Sequence, residues 1–228
     1  MKNERDTMES PAEKNPLKVQ IGMCCSRGIE AKTAASLAFM IGYTTAKVRN
    51  GLHLSMKIKH TTILPQGRQN LMEETITEGC DFLLMLDSDM VFPADTLLRL
   101  LNPCLMDNRD AVGAVYCTRR GSFCSTGMRD EGKHLILHPR RDKGQIPVHS
   151  LGLGVFLVRC SSVAKLPKPW FNFSYDESKP HADRWTGEDF WFCDLLRASG
   201  VQIFCDADLS REVQHIGETE YKTQDIRK

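Results

Sequence analysis

The chain predicts an α/β fold, a mostly parallel central sheet flanked by helices, organised as a single domain. Three observations carry that prediction. Apolar runs of strand length at 17–25, 53–64, 82–92 and 111–117 alternate with helix-favouring stretches. The joints between them hold turn-forming residues: Ser26-Arg27-Gly28, Pro65-Gln66-Gly67 and Pro93-Ala94-Asp95. A length of 228 residues with 41% hydrophobic content is enough for one substantial buried core.

Taken in order, residues 1–16 are polar and charged and read as a flexible leader ahead of a single domain at 17–228. Residues 17–25 alternate and then run apolar, giving a first strand, and a helix is expected over 30–48. Residues 53–64, rich in Ile and Thr, hold a second strand. Pro65-Gln66-Gly67 reads as a turn and 68–78 as a helix stopped by Gly79. The strand at 82–92 follows directly, Pro93-Ala94-Asp95 opens a helix as far as Met106, and 111–117 forms a further strand. These elements, 17–117, make the first half of the domain.

The second half spans 118–228. Periodicity fades over 118–145 apart from Leu135-Ile136-Leu137, and basic residues accumulate. Between 118 and 144, Arg119, Arg120, Arg129, Lys133, Arg140, Arg141 and Lys143 stand against Asp130, Glu131 and Asp142, a local excess of four positive charges. Sheet returns at 148–158 with a Gly152-x-Gly154 pair, and Trp170, Phe171, Phe173 and Tyr175 form an aromatic patch. A strongly apolar helix is expected at 187–200, with Glu188 and Asp189 in its first turn, then a last strand at 201–205.

Composition excludes several classes. Lys and Arg total 30 against 29 Asp and Glu, so net charge gives no reason to expect nucleic acid and only local clusters can. The nine cysteines are odd in number, lie mostly in apolar runs and show no Cys-x-x-Cys spacing. They read as reduced core residues of a cytoplasmic protein rather than as zinc ligands or a disulfide framework. No stretch reaches the ~18 to 20 apolar residues of a membrane span, and the N-terminus lacks a signal-peptide core.

The chemistry starts at Asp87 and Asp89. They are the only charges in the run Phe-Leu-Leu-Met-Leu-Asp-Ser-Asp-Met-Val-Phe at 82–92, and an uncompensated carboxylate is costly to desolvate. A hard divalent cation, Mg2+ or Mn2+, compensates such a pair and keeps places for water and phosphate. The competing reading is one helix cap and one solvated carboxylate.

With Arg68-Gln69-Asn70 opening a helix, Asp87-Ser88-Asp89 at a strand end, Gly187-Glu188-Asp189 opening a later helix and His215 near the end, the chain resembles the GT-A glycosyltransferases. It is most similar to the small family-2-like members of bacteria and phages. The resemblance implies a Rossmann-like, nucleotide-sugar-binding fold and a donor that is a nucleoside-diphosphate sugar, UDP-linked by expectation. It places Asp87 near the donor ribose and base, and Asp89 on a metal that bridges the diphosphate. His215 would complete that metal site, with Asp87 a further candidate ligand. Arg68 would face the nucleotide, and Cys25 and Arg27 stand where the fold holds the nucleoside, although this stretch departs from the commoner Pro-rich version. Asp189 is the first choice for the general base of an inverting transfer and Glu188 the second; the alternative is that both only favour the helix dipole. Trp185 offers a face on which a sugar or base could stack.

The resemblance implies an acceptor hydroxyl, with 17–117 the donor, nucleotide-binding half and 118–228 the acceptor half. The basic segment at 118–144 points to a polyanion, and phage enzymes of this kind modify hydroxymethylated pyrimidines in DNA; a saccharide or protein acceptor and a solvated basic loop are the alternatives. A nucleotidyltransferase would need a Gly-rich phosphate loop after the first strand, which Cys24-Cys25-Ser26-Arg27-Gly28 matches poorly. A non-catalytic sugar- or nucleic-acid-binding module would not need Asp89, Asp189 and His215 to converge.

Overall fold

In the computed structural model the described residues are 15–48, 51–118, 125–130, 133–181, 184–217 and 220–222. Most of the expected leader, together with Arg119 and Arg120, lies outside them.

The first half runs β1 (Leu17–Cys25), α1 (Ala31–Lys47), β2 (Leu52–His60), α2 (Leu64–Thr77), β3 (Phe82–Asp87), β4 (Met90–Val91), α3 (Thr96–Met106) and β5 (Ala111–Gly113). Next come β6 (Met128–Asp130), β7 (Lys133–His134), β8 (Gln145–Val148), β9 (Val155–Arg159), α4 (Cys160–Val163), β10 (Ser174–Tyr175) and β11 (Trp185–Thr186). The chain then forms α5 (Glu188–Ala198), β12 (Ile203–Asp206), α6 (Ala207–Ser210), β13 (Gln214–Ile216) and β14 (Glu220–Lys222).

Seven strands make the central sheet in the order β2-β1-β3-β9-β5-β12-β8. Strands β2, β1, β3, β5 and β12 point one way, while β9 and β8 run against them. The mostly parallel α/β architecture expected from the sequence is thus present, with helices on both faces. That double cover explains why β1 and β3 read as continuous apolar runs rather than alternating ones. Leu83 and Met85 pack with Leu71, Met72 and Phe192 on the α2 and α5 side. Phe82, Leu84 and Leu86 pack with Met40, Leu97 and Leu100 on the α1 and α3 side.

Five elements differ from expectation. Helix α2 begins at Leu64, so Pro65-Gln66-Gly67 is its first turn rather than a separate one. Proline is well suited there because its missing N–H would have had no partner. Gly67 is needed because a Cβ would run into Thr61 and lie 3.2 Å from Cys24 Sγ. Strand β2 stops at His60, and β5 ends at Gly113, after which Val115 donates to the Ser210 hydroxyl instead of a strand. The expected run at 148–158 is two strands, β8 and β9, that are not neighbours in the sheet. Strand β12 is not the last, since β13 and β14 follow it in a small sheet of order β14-β13-β4. Three-residue strands are too short to show a period.

Among the described residues eight cysteines are free thiols, all buried except the half-buried Cys80. No helix of the described chain is long and apolar enough to cross a membrane.

Candidate functional site at the carboxyl ends of the strands

Open α/β sheets bind ligands beyond the carboxyl ends of their strands. There this chain has a cleft of about 510 Å³ lined by Arg68, Asp87, Tyr116, Glu188, Asp189 and His215, with Leu64, Thr118, Thr126 and Leu153. A larger hollow of about 660 Å³, bordered by Asp107, Arg109, Lys165 and Gln202, holds none of the predicted residues. Chemistry rather than volume selects the first.

Arg68 sits at its centre. The guanidinium is buried, and it reaches Asp87 Oδ1 at 2.7 Å with Nη2 and Glu188 Oε1 at 2.5 Å with Nη1. Helix α2 can carry it there because Gly67 lets the first turn close onto Thr61 and Cys24, and Cys24 lies beside Asp87 in the β1–β3 register. The two carboxylates raise its affinity for a proton against the opposing effect of burial. One arginine therefore joins the end of β3 to the start of α5, residues 101 positions apart in sequence.

Asp89 and His215 meet two residues further on. Antiparallel pairing of β13 with β4 sets His215 opposite Met90, and Ile216 N–H donates to Asp89 O at 2.8 Å. His215 Nε2 lies 3.5 Å from Asp89 Oδ2, and both side chains are about nine-tenths buried. Its Nδ1 is 2.8 Å from the Cys117 carbonyl. That oxygen can only accept, so Nδ1 carries a proton and a neutral ring would present the Nε2 lone pair toward Asp89. Among the described residues no group of three or more His, Cys, Asp and Glu side chains gathers in metal-holding geometry. A carboxylate with an imidazole is still a donor set suited to Mn2+ or Mg2+, which leave further positions to water and substrate phosphate. The residues fit such an ion as a two-ligand site. Asp87, the third candidate ligand, has Oδ1 on Arg68.

Asp189 lines the same cleft in the first turn of α5. Burial and the neighbouring Glu188 carboxylate push its acid up from 3.8 to about 6, against the pull of Arg68 and of the Phe190 N–H that donates to Oδ1 at 2.8 Å. A carboxylate that titrates near neutrality can exchange protons at working pH. Glu188, by contrast, is held by Arg68.

The remaining predicted residues lie elsewhere. Cys25 is buried at the end of β1, with its carbonyl accepting from Thr61 N–H at 2.9 Å. Arg27 is exposed in the loop after it. Trp185 is 68% exposed on β11, 4.9 Å from the Tyr175 ring, and does not line the cleft.

Tyr116 escaped the sequence reading. Its buried hydroxyl accepts from Gly154 N–H at 2.8 Å and its ring meets His215 edge-on at 5.3 Å. A Cβ on Gly152 or Gly154 would come within 2.7 or 2.5 Å of that hydroxyl, and one on Gly154 within 2.8 Å of Asp87 Oδ2. The Gly152-x-Gly154 pair, read from sequence as part of a strand, is the gap that admits Tyr116 and Asp87. The available signal was a polar ring in the otherwise apolar run at 111–117, the same signal that marked Asp87.

The sheet order, the reversed β9 and the strand-end cleft define a mixed α/β fold with a mostly parallel seven-stranded central sheet. No family model matches the sequence, and no curated protein matches it. Among solved structures, A197 from STIV superposes with a TM-score of 0.55 at 12% identity, over 88% of this chain and 86% of that one. TarS residues 1–349 from S. aureus give 0.46 at 12% identity, over 84% of this chain and 58% of that one. At such identity the likeness is one of fold.

Proposed function

We propose that this chain is a metal-dependent glycosyltransferase that moves a hexose from a nucleoside-diphosphate sugar, UDP-linked, to an acceptor hydroxyl with inversion. The observation that carries the reading is convergence: Arg68, Asp87, Glu188, Asp189 and His215 line one strand-end cleft from four separate stretches of sequence, and Asp89 lies 3.5 Å behind His215. Three carboxylates, Asp87, Glu188 and Asp189, act on a single guanidinium and leave the cleft with an excess of negative charge. A site of that kind is suited to a cation.

Asp89 and His215 would hold Mn2+ or Mg2+, and when bound the ion would offset the charge growing on the diphosphate leaving group. Asp189 receives the proton of the acceptor hydroxyl as its oxygen bonds to the anomeric carbon and the bond from that carbon to the diphosphate oxygen breaks. Arg68 keeps Glu188 and Asp87 in place, fixing the start of α5 relative to the end of β3. Thr118 Oγ1, buried at the cleft without a hydrogen-bond partner among the described residues, is available to a substrate hydroxyl. For the acceptor, the exposed basic stretch favours a hydroxymethylated pyrimidine in DNA over a neutral saccharide.

The test is a thermal-shift screen of nucleotide sugars with and without Mn2+, followed by donor hydrolysis. A UDP-sugar should raise the melting temperature only with the metal, and Asp89→Ala should abolish both the shift and hydrolysis. Near-normal hydrolysis by Asp89→Ala would sink the metal assignment.

A further inference from the structure

We infer that the turn at 138–144, between β7 and β8, docks the phosphate backbone of a nucleic acid. Its role as an acceptor surface rests on the glycosyl-transfer reading of the cleft, whereas its role as a nucleic-acid surface does not.

This turn is pinned from within. Asp142 Oδ2 accepts from His138 N–H at 2.7 Å and from Arg129 Nη2 at 2.9 Å, while Asp142 N–H donates to His138 O at 3.0 Å. His138 Nδ1 accepts the N–H groups of Arg140 and Arg141, each at 3.2 Å. Gly144 N–H donates to Asp208 Oδ2 at 2.8 Å, and Arg211 reaches the Asp142 carbonyl. The turn's one acid is thereby occupied as a staple. Arg140, Arg141 and Lys143 are left exposed, and none is paired with a carboxylate among the described residues. Lys133, exposed on β7, adds a fourth cation.

The turn holds three exposed cations close together against one acid, Asp142, on which Arg129 and Arg141 both act. Preorganised cations do lower the ordering cost of binding a polyanion, and adjacent guanidinium groups fork onto phosphate oxygens where an ammonium acts as a point charge. The turn also faces the working end of the sheet. Gln145, which opens β8, pairs with Asp206 at the carboxyl end of β12. Leu135 N–H donates to Gly127 O at 2.8 Å, next to Thr126 of the cleft.

The cleft's own charge selects among polyanions. An anionic polysaccharide carries charge on the sugar units that would have to enter a cleft rich in carboxylates. A nucleic acid keeps its phosphates outside, on the turn, and presents an uncharged base when the nucleotide is unstacked. Charge outside and a neutral group inside match a basic turn carrying Arg140, Arg141 and Lys143 at the same end of the sheet as an acidic cleft.

The test is fluorescence anisotropy of the full chain with a labelled mixed-sequence DNA duplex, without donor or metal, over a range of salt. Binding should weaken with salt with a logarithmic slope of about −3 for three phosphate contacts, flattening by about 2 in R140Q/R141Q and by about 1 in K143Q. Melting temperatures close to wild type would establish that the variants are folded. No binding at about 25 mM salt, unchanged slopes in a folded R140Q/R141Q, or tighter binding of a labelled sulfated polysaccharide than of DNA would each overturn the inference. Donor hydrolysis by the wild-type enzyme, assayed separately, distinguishes the two readings. Hydrolysis without DNA binding removes this surface alone, and DNA binding without hydrolysis removes the glycosyl-transfer reading alone.

Discussion

A buried arginine and a part-buried one stand at opposite ends of the same sheet and do different work. Arg159, at the end of β9, donates from Nε to Asp110 Oδ1 at 2.6 Å and from Nη2 to the Cys104 carbonyl at 2.8 Å, with the guanidinium 4.6 Å from the Phe82 ring centre. One carboxylate, a carbonyl and a ring complete its needs, and no further charge is left over. Arg68 is shared by Asp87 and Glu188, with Asp189 close enough to be lowered by it and Asp89 two residues from Asp87. At the Arg159 end one carboxylate answers one guanidinium; at the Arg68 end three carboxylates share one. That difference separates a structural ion pair from a site.

The strongest way to break the comparison is Arg68→Met. It leaves Asp87 and Glu188 without their cation, an arrangement that costs about 3 to 5 kcal/mol in a buried pair. Urea unfolding of wild type and Arg68→Met measures the deficit, and a loss below about 1 kcal/mol would mean that the two carboxylates do not depend on Arg68. Gly154→Ala should come next, at about 1 to 3 kcal/mol, because the new methyl overlaps the Tyr116 hydroxyl and Asp87 Oδ2. Gly28→Ala, where a Cβ meets nothing within 4 Å, is its matched control. Arg159→Met should cost less, about 1 to 2 kcal/mol, since Asp110 is 30% exposed and can be hydrated once its partner is gone.

The two ends were not equally legible in the sequence. The α/β alternation, the strand-end position of Asp87 and Asp89 and the acidic start of α5 were all readable, because each is a local pattern: an apolar run, a charge inside it, a helix first turn. What escaped depended on contacts between distant segments. The pairing of the three-residue β13 with the two-residue β4 has no period to read, so the partnership of His215 with Asp89 rested on the resemblance alone. Arg68 was read as facing the nucleotide, and no local pattern could show Glu188 arriving from 120 residues away. Tyr116 and the Gly152-x-Gly154 gap belong together only once β9 is known to run antiparallel beside β5. Trp185 had the right chemistry, but its hairpin turns it outward.

Asp189 gives the smallest change in stability and the sharpest reading of the site. Its acid lies near 6 in the folded protein against an ordinary 3.8, so the native state holds a proton more tightly than the unfolded chain. Stability is therefore lost as pH rises from about 4 to about 6 and stays lower above that. Asp189→Asn removes the penalty and should be about 1 kcal/mol more stable than wild type at pH 7, a value below the full shift because the side chain is only half-buried. Below pH ~4 the two proteins should melt alike. The same titration has the opposite sense in activity, because a general base must be ionised to accept a proton. Transfer by the wild-type enzyme should rise with pH through about 6, and Asp189→Asn should lose about 10² to 10⁴ in rate. A variant that gains stability at neutral pH while losing transfer would identify Asp189 as a group held at a cost for its chemistry. One that loses neither would return it to the first turn of α5 as an ordinary helix-dipole residue.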